Sequence, residues 1–460
     1  MAGLASASAL SSVFDEVILL ERDNLPAQVE ALPAKRGGVP QFQQPHVMLC
    51  GGLRLCEDLF GGFKDNLRKA GAQDVDWLKD CSVWDFGGYM EPMPQDEPSP
   101  LESVGATRKL MEHTAREIVS TKDNITLRSG AVVSGLRYSD GSATVSGVVL
   151  KDGEQIPADF VVDASGRNSK LSEWLQASGH SAPPQEVINS GLGYGTRTYQ
   201  MPEHWFREHG WKAATISPRP HSGRQGLLLP VEDDRWQLIM TGMAGDHPPT
   251  DEEGYLEFAR SLPQLDIYDA IRQAEPIGPV YTYSRTENIR RRYEKVELPA
   301  GVCVLGDAAA SFNPIYGQGM TVGIKAAILL RDLLQKRLAT GARFSTDKRT
   351  ELLQGFGKEY QAALAALQDF PWTVATGDDE KHLQALGKLP AKKKTAGETF
   401  INWYFLQAIK CAMHDYKVRS EIFTVNHMMV EPSALFSPSI ASKVALISLK
   451  DAWGNLTAAG

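Results

Sequence analysis

The length and charge of the chain already exclude several classes of protein. At roughly 100–200 residues per domain, 460 residues suffice for two or three domains, and 42% hydrophobic with 23% charged residues excludes most fibrous and disordered classes. The 48 basic and 56 acidic residues give a net charge of −8. The densest basic cluster, Arg290–Arg292, is short and flanked by Glu287 and Glu294. A nucleic-acid-binding protein needs a basic stripe, so we expect no nucleic-acid partner.

The cysteines and the lack of long apolar runs describe the environment of the protein. The five cysteines are odd in number and form no C-x-x-C pair, so we predict neither a disulfide framework nor a zinc ribbon. The chain contains no run of about 20 apolar residues, and its N-terminus lacks the order of a signal peptide. We therefore expect no metal site, no stable membrane span and a cytoplasmic location.

The first predicted elements are a helix and a buried parallel strand. Residues 4–12 are small and predict a helix, and residues 16–22 form a β-branched apolar run that ends in acidic and basic side chains. In a dinucleotide-binding βαβ unit, the acid at the tip of such a strand, here Glu21, bonds a ribose hydroxyl. The strand and G-x-G-x-x-G turn that open this unit are missing, and only Gly3 corresponds to the last glycine of that turn.

The later elements predict a β-rich middle and a helical end. Apolar runs and alternation predict strands at 131–136, 143–150, 159–163, 226–230 and 236–240. Asp140-Gly141 is a hairpin signal between the first two. Residues 298–334 predict a strand, a loop and a helix. Other helices are predicted at 106–120, at 254–262 and over most of the chain from about residue 350.

The strongest motif is the segment from Gly301 to Met320. A buried strand ends in a Gly-Asp pair, a turn rich in proline and glycine follows, and a helix begins. Backbone N–H groups at a helix N-terminus and glycines that allow close approach suit a phosphate and a polyol chain. The segment resembles the G-D motif of FAD-dependent monooxygenases of the aromatic-hydroxylase type. The resemblance implies that FAD is bound by Gly306, Asp307, Pro314, Gly317, Gly319 and Met320.

Other segments carry the same resemblance, which runs from Gly3 to about Pro438. Residues 163–169 resemble the family's D-G motif, whose acid and arginine serve FAD and the use of reduced nicotinamide. The segments around Arg36 and Arg108 resemble the two arginine-bearing segments near the flavin. The remaining stretch, which includes residues 193–197 and Pro371-Trp372, resembles a microbial branch that acts on lipophilic natural products and includes epoxidase-like members. Further cofactor-binding residues implied by the resemblance are Gly3, Glu21, Arg22, Arg36, Arg108, Val132, Asp163 and Arg167.

The resemblance also implies an α/β fold. A Rossmann-like FAD-binding domain with a parallel sheet that lacks its first strand is expected at residues 1–185 and 291–345. A β-rich substrate domain is expected at 186–290 and a helical C-terminal region at 346–460. The missing strand belongs beside the strand that ends at Glu21, so its loss leaves unpaired edges in a buried sheet. We expect Met1 to be an internal methionine of a longer natural chain; the alternative is a damaged flavin site.

The implied activity is that of a monooxygenase. FAD, reduced by NADPH or NADH, and O2 serve to hydroxylate or epoxidise a hydrophobic small molecule in terpenoid or polyketide biosynthesis. One alternative is a non-redox cyclase, similar to a Diels–Alderase, that works on the same scaffold by proximity alone. Another is a binding protein without activity.

Catalytic side chains stay unassigned, because the implied chemistry needs mainly a dry pocket. Aromatic residues that either line this pocket or belong to the core are Tyr194, Trp236, Trp372, Trp403 and Tyr404. The lone histidine His46 is interpreted as structural, and the acidic cluster Asp378–Glu380 as a solvated surface.

Overall fold

A helix and a short parallel strand open the chain, as the small and β-branched runs predict. The computed structural model describes residues 1–29, 36–85, 87–139, 144–218, 223–339, 353–390 and 395–458. Helix α1 (Ala2–Leu10) is built of small side chains and packs closely on the long helix α9 (Gln318–Ala339). Strand β1 (Val17–Glu21) follows it.

The other helices occur along the whole chain and become dominant near its end. They are α2 (Cys50–Phe60), α3 (Phe63–Lys69), α4 (Arg108–Ser120), α5 (Leu171–Ala177), α6 (Trp205–His209), α7 (Glu252–Arg260), α8 (Asp266–Ile271), α10 (Phe356–Ala385), α11 (Ala396–Ala412), α12 (Tyr416–Asn426) and α13 (Pro438–Ala458). Within the described residues, no helix is both long and apolar enough to cross a bilayer.

The other strands are short and belong to several sheets. They are β2 (Gln73–Asp76), β3 (Cys81–Asp85), β4 (Gly88–Met90), β5 (Glu102–Gly105), β6 (Ile125–Ser129), β7 (Val133–Tyr138), β8 (Val145–Leu150), β9 (Gln155–Pro157), β10 (Val161–Asp163), β11 (Gln185–Ile188), β12 (Gly193–Gln200), β13 (Ala213–Ile216), β14 (Gln225–Val231), β15 (Arg235–Gly242), β16 (Glu275–Tyr283), β17 (Asn288–Arg291), β18 (Val302–Val304) and β19 (Ala310–Ser311). The predicted hairpin forms between β7 and β8, and its Asp140-Gly141 turn lies outside the described residues.

Two parallel strand pairs form the Rossmann-like part of the fold. β1 pairs with β6, Val17 opposite Ile125, and β10 pairs with β18, Val161 opposite Val302. Among the described residues, no backbone ladder joins one pair to the other. The interruption lies where the sequence predicts an absent central strand. The predicted fold class, a Rossmann-like α/β domain with a β-rich part and a helical C-terminal region, is confirmed.

The β-rich part is a seven-stranded sheet in the order β16-β12-β15-β14-β13-β3-β4. Its central strands are antiparallel, with Gly193 of β12 opposite Gly242 of β15. The fully buried Trp236 and Tyr255 belong to the core between this sheet and α7. The sheet also takes in β3 and β4 from the first part of the chain, and β3 joins it in parallel with β13. The sequence pattern did not indicate this recruitment.

One charged residue of the helical region lies deep in the protein. Asp379, on α10, is 0% exposed and accepts hydrogen bonds from the side chains of Asn288 and Asn313. The expectation that the acidic cluster at 378–380 is solvated is therefore wrong for Asp379. Successive residues of an α-helix point in different directions, so one residue of such a run can face the interior. The two amides satisfy the buried carboxyl group with hydrogen bonds.

Candidate functional site

A cavity of about 1080 Å³ lies between the two parallel strand pairs and extends to the seven-stranded sheet. Residues 17–21 of β1 and residues 160–164 around β10 both line it. Leu227 and Ile239 contribute apolar side chains from the seven-stranded sheet. The interruption of the parallel strands thus continues into a large internal space.

The cavity gathers most of the residues that the sequence singles out. Thirteen of the fourteen line it, namely Gly3, Glu21, Arg22, Arg108, Val132, Asp163, Arg167, Gly306, Asp307, Pro314, Gly317, Gly319 and Met320. These residues are spread from position 3 to position 320, so their convergence depends on the fold. Whether they bind a cofactor stays a prediction.

Arg36, the fourteenth residue, lies behind the wall. It is 4% exposed, and its Nη2 and Nε each lie 3.1 Å from a carboxylate oxygen, of Glu21 and of Asp23 respectively. Its Nη1 pairs with the carboxylate of Glu112. The guanidinium thus pairs with three acids and acts on the cavity through Glu21, which lines it.

Glu112 is a member of this cluster that the sequence analysis missed. It lies one helical turn after Arg108 on α4, and Arg108 Nη2 donates to its Oε2 at 3.1 Å. Burial raises the pKa of Glu112, but the surrounding positive charges, that of Arg108 first, outweigh this effect and lower the pKa to about 2. The i, i+4 spacing of Arg108 and Glu112 is the signal that could have revealed the pair.

The start of α4 fixes Arg108 in the cavity wall. Thr107 caps the helix by accepting a hydrogen bond from Leu110 N at 3.2 Å, and its hydroxyl donates to Glu232 at 2.6 Å. Arg108 Nη1 lies 2.9 Å from the sulfur of Met320. Its Nε is buried and has no hydrogen-bond partner within the part of the chain that the structure describes. A buried donor without a partner is costly, so the site is suited to an additional acceptor.

Asp307 presents a free carboxylate to the cavity. The side chain makes no hydrogen bond or ion pair with any residue of the described ranges, and burial raises its pKa despite the nearby charge of Arg167. Its Oδ1 lies 4.0 Å from the point where a Cβ on Gly319 would stand, at the first turn of α9. Acceptor oxygens therefore lie beside the N–H groups that begin this helix.

Asp163 and Arg167 hold their own segment in place. Asp163 accepts hydrogen bonds from Ser165 N at 2.9 Å and from the hydroxyl of Ser169. Arg167 donates to Ser311 Oγ at 2.7 Å and pairs with the carboxylate of Glu287. The segment at 163–169 is thereby tied to the G-D segment.

His46 and Tyr194 complete the polar wall. His46, which the sequence analysis interpreted as structural, lines the cavity, and its Nδ1 lies 2.7 Å from Gln44 O. Because a carbonyl only accepts, Nδ1 carries the hydrogen. Burial, followed by the charge of Arg108, lowers the pKa of His46 to about 3, so the ring is neutral near pH 7. Of the five aromatic candidates, only Tyr194 lines this cavity; Trp236 belongs to the core.

Two family models match separate parts of the chain. The squalene epoxidase model matches residues 286–388 and includes the G-D segment. The tryptophan halogenase model matches residues 107–184 and includes Arg108, Asp163 and Arg167. Both matches therefore fall on segments that line the cavity.

Individual proteins resemble longer stretches. Protein Rv3254 of Mycobacterium tuberculosis is 29% identical over 412 residues, 87% of this chain and 83% of the relative. The ubiquinone hydroxylase UbiL of Rhodospirillum rubrum is 26% identical over 308 residues, 62% of this chain and 64% of the relative. The crystal structure of PqsL, a probable FAD-dependent monooxygenase from Pseudomonas aeruginosa, superposes with a TM-score of 0.58 at 15% identity, covering 84% and 96% of the two chains. At this identity the last likeness establishes the fold.

Proposed function

Because the chain is a relative of the FAD-dependent monooxygenases of the aromatic-hydroxylase type, we propose that its cavity binds FAD and a hydrophobic small molecule. The product is a hydroxylated or epoxidised form of that molecule. NADPH or NADH is the reductant and O2 the oxygen source. The observation that carries the proposal is the free carboxylate of Asp307 beside the first turn of α9.

The chemistry of the donor set fits FAD. A dinucleotide offers hydroxyl groups that donate and phosphate oxygens that accept. Asp307 supplies an acceptor for hydroxyl groups, and Arg108 Nε is a buried donor without a described partner. Gly317 has φ +63° and contributes no side chain to the turn before α9, so backbone can approach a ligand closely there.

Bound FAD supplies the electron transfer and the activation of O2 that amino-acid side chains lack. The residues of the chain bind the cofactor, orient it and shield it from water. We assign the hydroxyl-bearing chain of FAD to Asp307 and Glu21. We assign its anionic groups to the α9 N-terminus and to Arg108. Arg36 and Glu112 keep Glu21 and Arg108 in place.

The substrate side of the cavity supports a hydrophobic molecule. Leu227, Ile239, Phe312 and Ile315 line it with apolar side chains. Such a wall excludes water and favours an apolar ligand. We assign the protein to the biosynthesis of a terpenoid or polyketide natural product in the cytoplasm.

The test is oxygen uptake and NAD(P)H oxidation by the FAD-loaded protein with a panel of polyprenyl and polyketide compounds. We expect a compound that accelerates both and gains one oxygen atom. Asp307→Asn should lower this rate at least tenfold, whereas Asp332→Asn, on the exposed side of α9, should not. A product that forms at the same rate without O2 and NAD(P)H would overturn the proposal and favour the cyclase.

A further inference from the structure

A buried carboxylate outside the proposed cofactor contacts connects α10 to the cavity wall. Asn288 Nδ2 donates to Asp379 Oδ2 at 2.8 Å, and Asn313 Nδ2 donates to Oδ1 and Oδ2 at 2.9 and 3.2 Å. All three side chains are fully buried. A carboxyl group away from water needs hydrogen-bond partners, and the two amides provide three such contacts.

This carboxylate decides which way both amides point. Both carboxyl oxygens of Asp379 accept from these amides, so the NH2 groups of Asn288 and Asn313 face it and their oxygens face away. Asn288 Oδ1 then accepts from Asn313 N at 2.6 Å. Asn313 Oδ1 accepts from Ile315 N at 3.2 Å and from the Tyr194 hydroxyl at 3.3 Å.

The oriented amides act on two parts of the cavity wall. The hydrogen bonds to Asn313 N and Ile315 N hold the turn at residues 313–315, whose Pro314 and Ile315 line the cavity. The hydroxyl hydrogen of Tyr194 is used for Asn313, so only its lone pairs remain for a ligand. Burial and the charge of Asp379 raise the pKa of Tyr194 well above its usual value, which keeps the hydroxyl neutral.

We propose that Asp379 is a positioning residue that, through Asn288 and Asn313, holds the 313–315 turn in the cavity wall and makes the Tyr194 hydroxyl a hydrogen-bond acceptor. The group that contacts Tyr194 in the ligand is then an O–H or N–H donor. That the ligand of this wall is FAD rests on the proposed function; the effect of Asp379 on the turn does not.

The first experiment measures hydrogen exchange at the Asn313 and Ile315 amides of the protein without added FAD. Asp379→Asn places an NH2 group against the two amides and should accelerate exchange at both amides at least tenfold, the equivalent of about 1.4 kcal/mol. The control is Glu380→Gln, the neighbouring and partly exposed acid, which should leave both amides unchanged. Unchanged exchange at both amides in Asp379→Asn would overturn the proposal.

A swap variant guards against simple misfolding. In Asn313→Asp/Asp379→Asn the carboxylate stands at 313, where it accepts from Ile315 N, from Tyr194 and from the new amide at 379. The amide oxygen at 379 accepts from Asn288. Exchange at Ile315 should therefore return to within about threefold of the wild-type rate, whereas Asn313→Asp alone, with two facing carboxylates, should not recover. If exchange at Ile315 is as fast in the swap variant as in the single variants, the proposal is overturned.

FAD affinity separates this inference from the proposed function. We expect Asp379→Asn to raise the Kd for FAD about tenfold and the swap to restore it. If the wild-type chain binds no FAD, the proposed function fails, and the exchange rates at residues 313 and 315 still decide the role of Asp379. If Asp379→Asn lowers the Tm but changes neither exchange at these amides nor the Kd, the residue is merely structural and the inference is wrong.

Discussion

Arg108 and Glu112 form a buried ion pair across one turn of α4, with Arg108 Nη2 3.1 Å from Glu112 Oε2. Arg36 pairs with the same carboxylate from the other side. Two guanidiniums thus share one carboxylate that is 9% exposed. Glu112 is the acidic partner of Arg108 in the cavity wall and one of three acidic partners of Arg36 behind it.

Replacing this counter-charge should destabilise the protein at neutral pH. Glu112→Gln leaves the buried guanidinium of Arg108 facing a neutral amide, whereas Arg36 keeps Glu21 and Asp23. Breaking a buried pair costs about 3 kcal/mol or more of unfolding free energy. Urea unfolding at pH 7 measures the loss. The control is Glu117→Gln on the same helix, whose side chain is 64% exposed. An unfolding free energy equal to that of the control would contradict the assignment.

The same carboxylate should contribute to acid sensitivity. Its pKa in the folded protein is about 2, below the usual 4.5, so the stabilisation is complete above pH 4.5 and is lost as pH falls toward 2. Glu112→Gln should show a smaller loss of stability between pH 5 and pH 3 than the wild type. Parallel pH profiles of the unfolding free energy would argue against a lowered pKa.

Gly317 should tolerate a methyl group less well than Gly319. Gly317 has φ +63°, a conformation that costs an L-residue roughly 1–2 kcal/mol. A Cβ there would meet only ordinary contacts, the nearest at 3.5 Å, so the loss comes from the backbone. We expect thermal unfolding to show a lowered Tm for Gly317→Ala. The control Gly319→Ala, inside α9, should keep the wild-type Tm. Equal Tm values for the two variants would contradict the turn geometry.

His46 should also make the protein sensitive to mild acid. Its pKa is lowered from 6.5 to about 3, so the unfolded chain takes up the proton first as pH falls below 6.5 and stability decreases. His46→Asn should lose less stability between pH 6.5 and pH 4 than the wild type, as measured by urea unfolding. Exposed His414, changed to Asn, is the control. If both variants follow the wild-type profile, His46 is not buried as described.

The five cysteines should be unreactive until the protein unfolds. All are free and buried, and burial raises the pKa of Cys50 and Cys56 to about 12. A thiol with a raised pKa carries little thiolate at pH 8. A disulfide reagent should detect no fast thiol in the native protein and five after denaturation. A fast native thiol, or fewer than five in the unfolded chain, would disagree with this structure.

The features of the site that the sequence predicts correctly are those that depend on neighbouring residues in the chain. The acid at the tip of β1, the Gly-Asp pair after β18 and the start of α9 each depend on a few consecutive residues. The cavity gathers them because residues of both parallel strand pairs line it. Thr107 and the helix that follows it are predictable because they too depend on a few consecutive residues.

Contacts across long sequence distances explain what was missed. Asp379 lies 91 and 66 positions from its partners Asn288 and Asn313, and a run of three acids in sequence normally indicates a solvated surface. β3 joins the seven-stranded sheet beside β13, far along the chain. Arg36 and Glu112 form their ion pair only after α4 packs against the first strand pair. None of these relationships has a local pattern.

The most direct measurement is an equilibrium titration of the purified 460-residue chain with FAD, followed by flavin fluorescence, beside Asp307→Asn and Asp332→Asn. We expect saturable binding of one FAD per chain, a Kd at least tenfold higher for Asp307→Asn, and an unchanged Kd for Asp332→Asn. Absence of saturable binding, or equal affinity of the wild type and Asp307→Asn, would contradict an FAD site at this cavity.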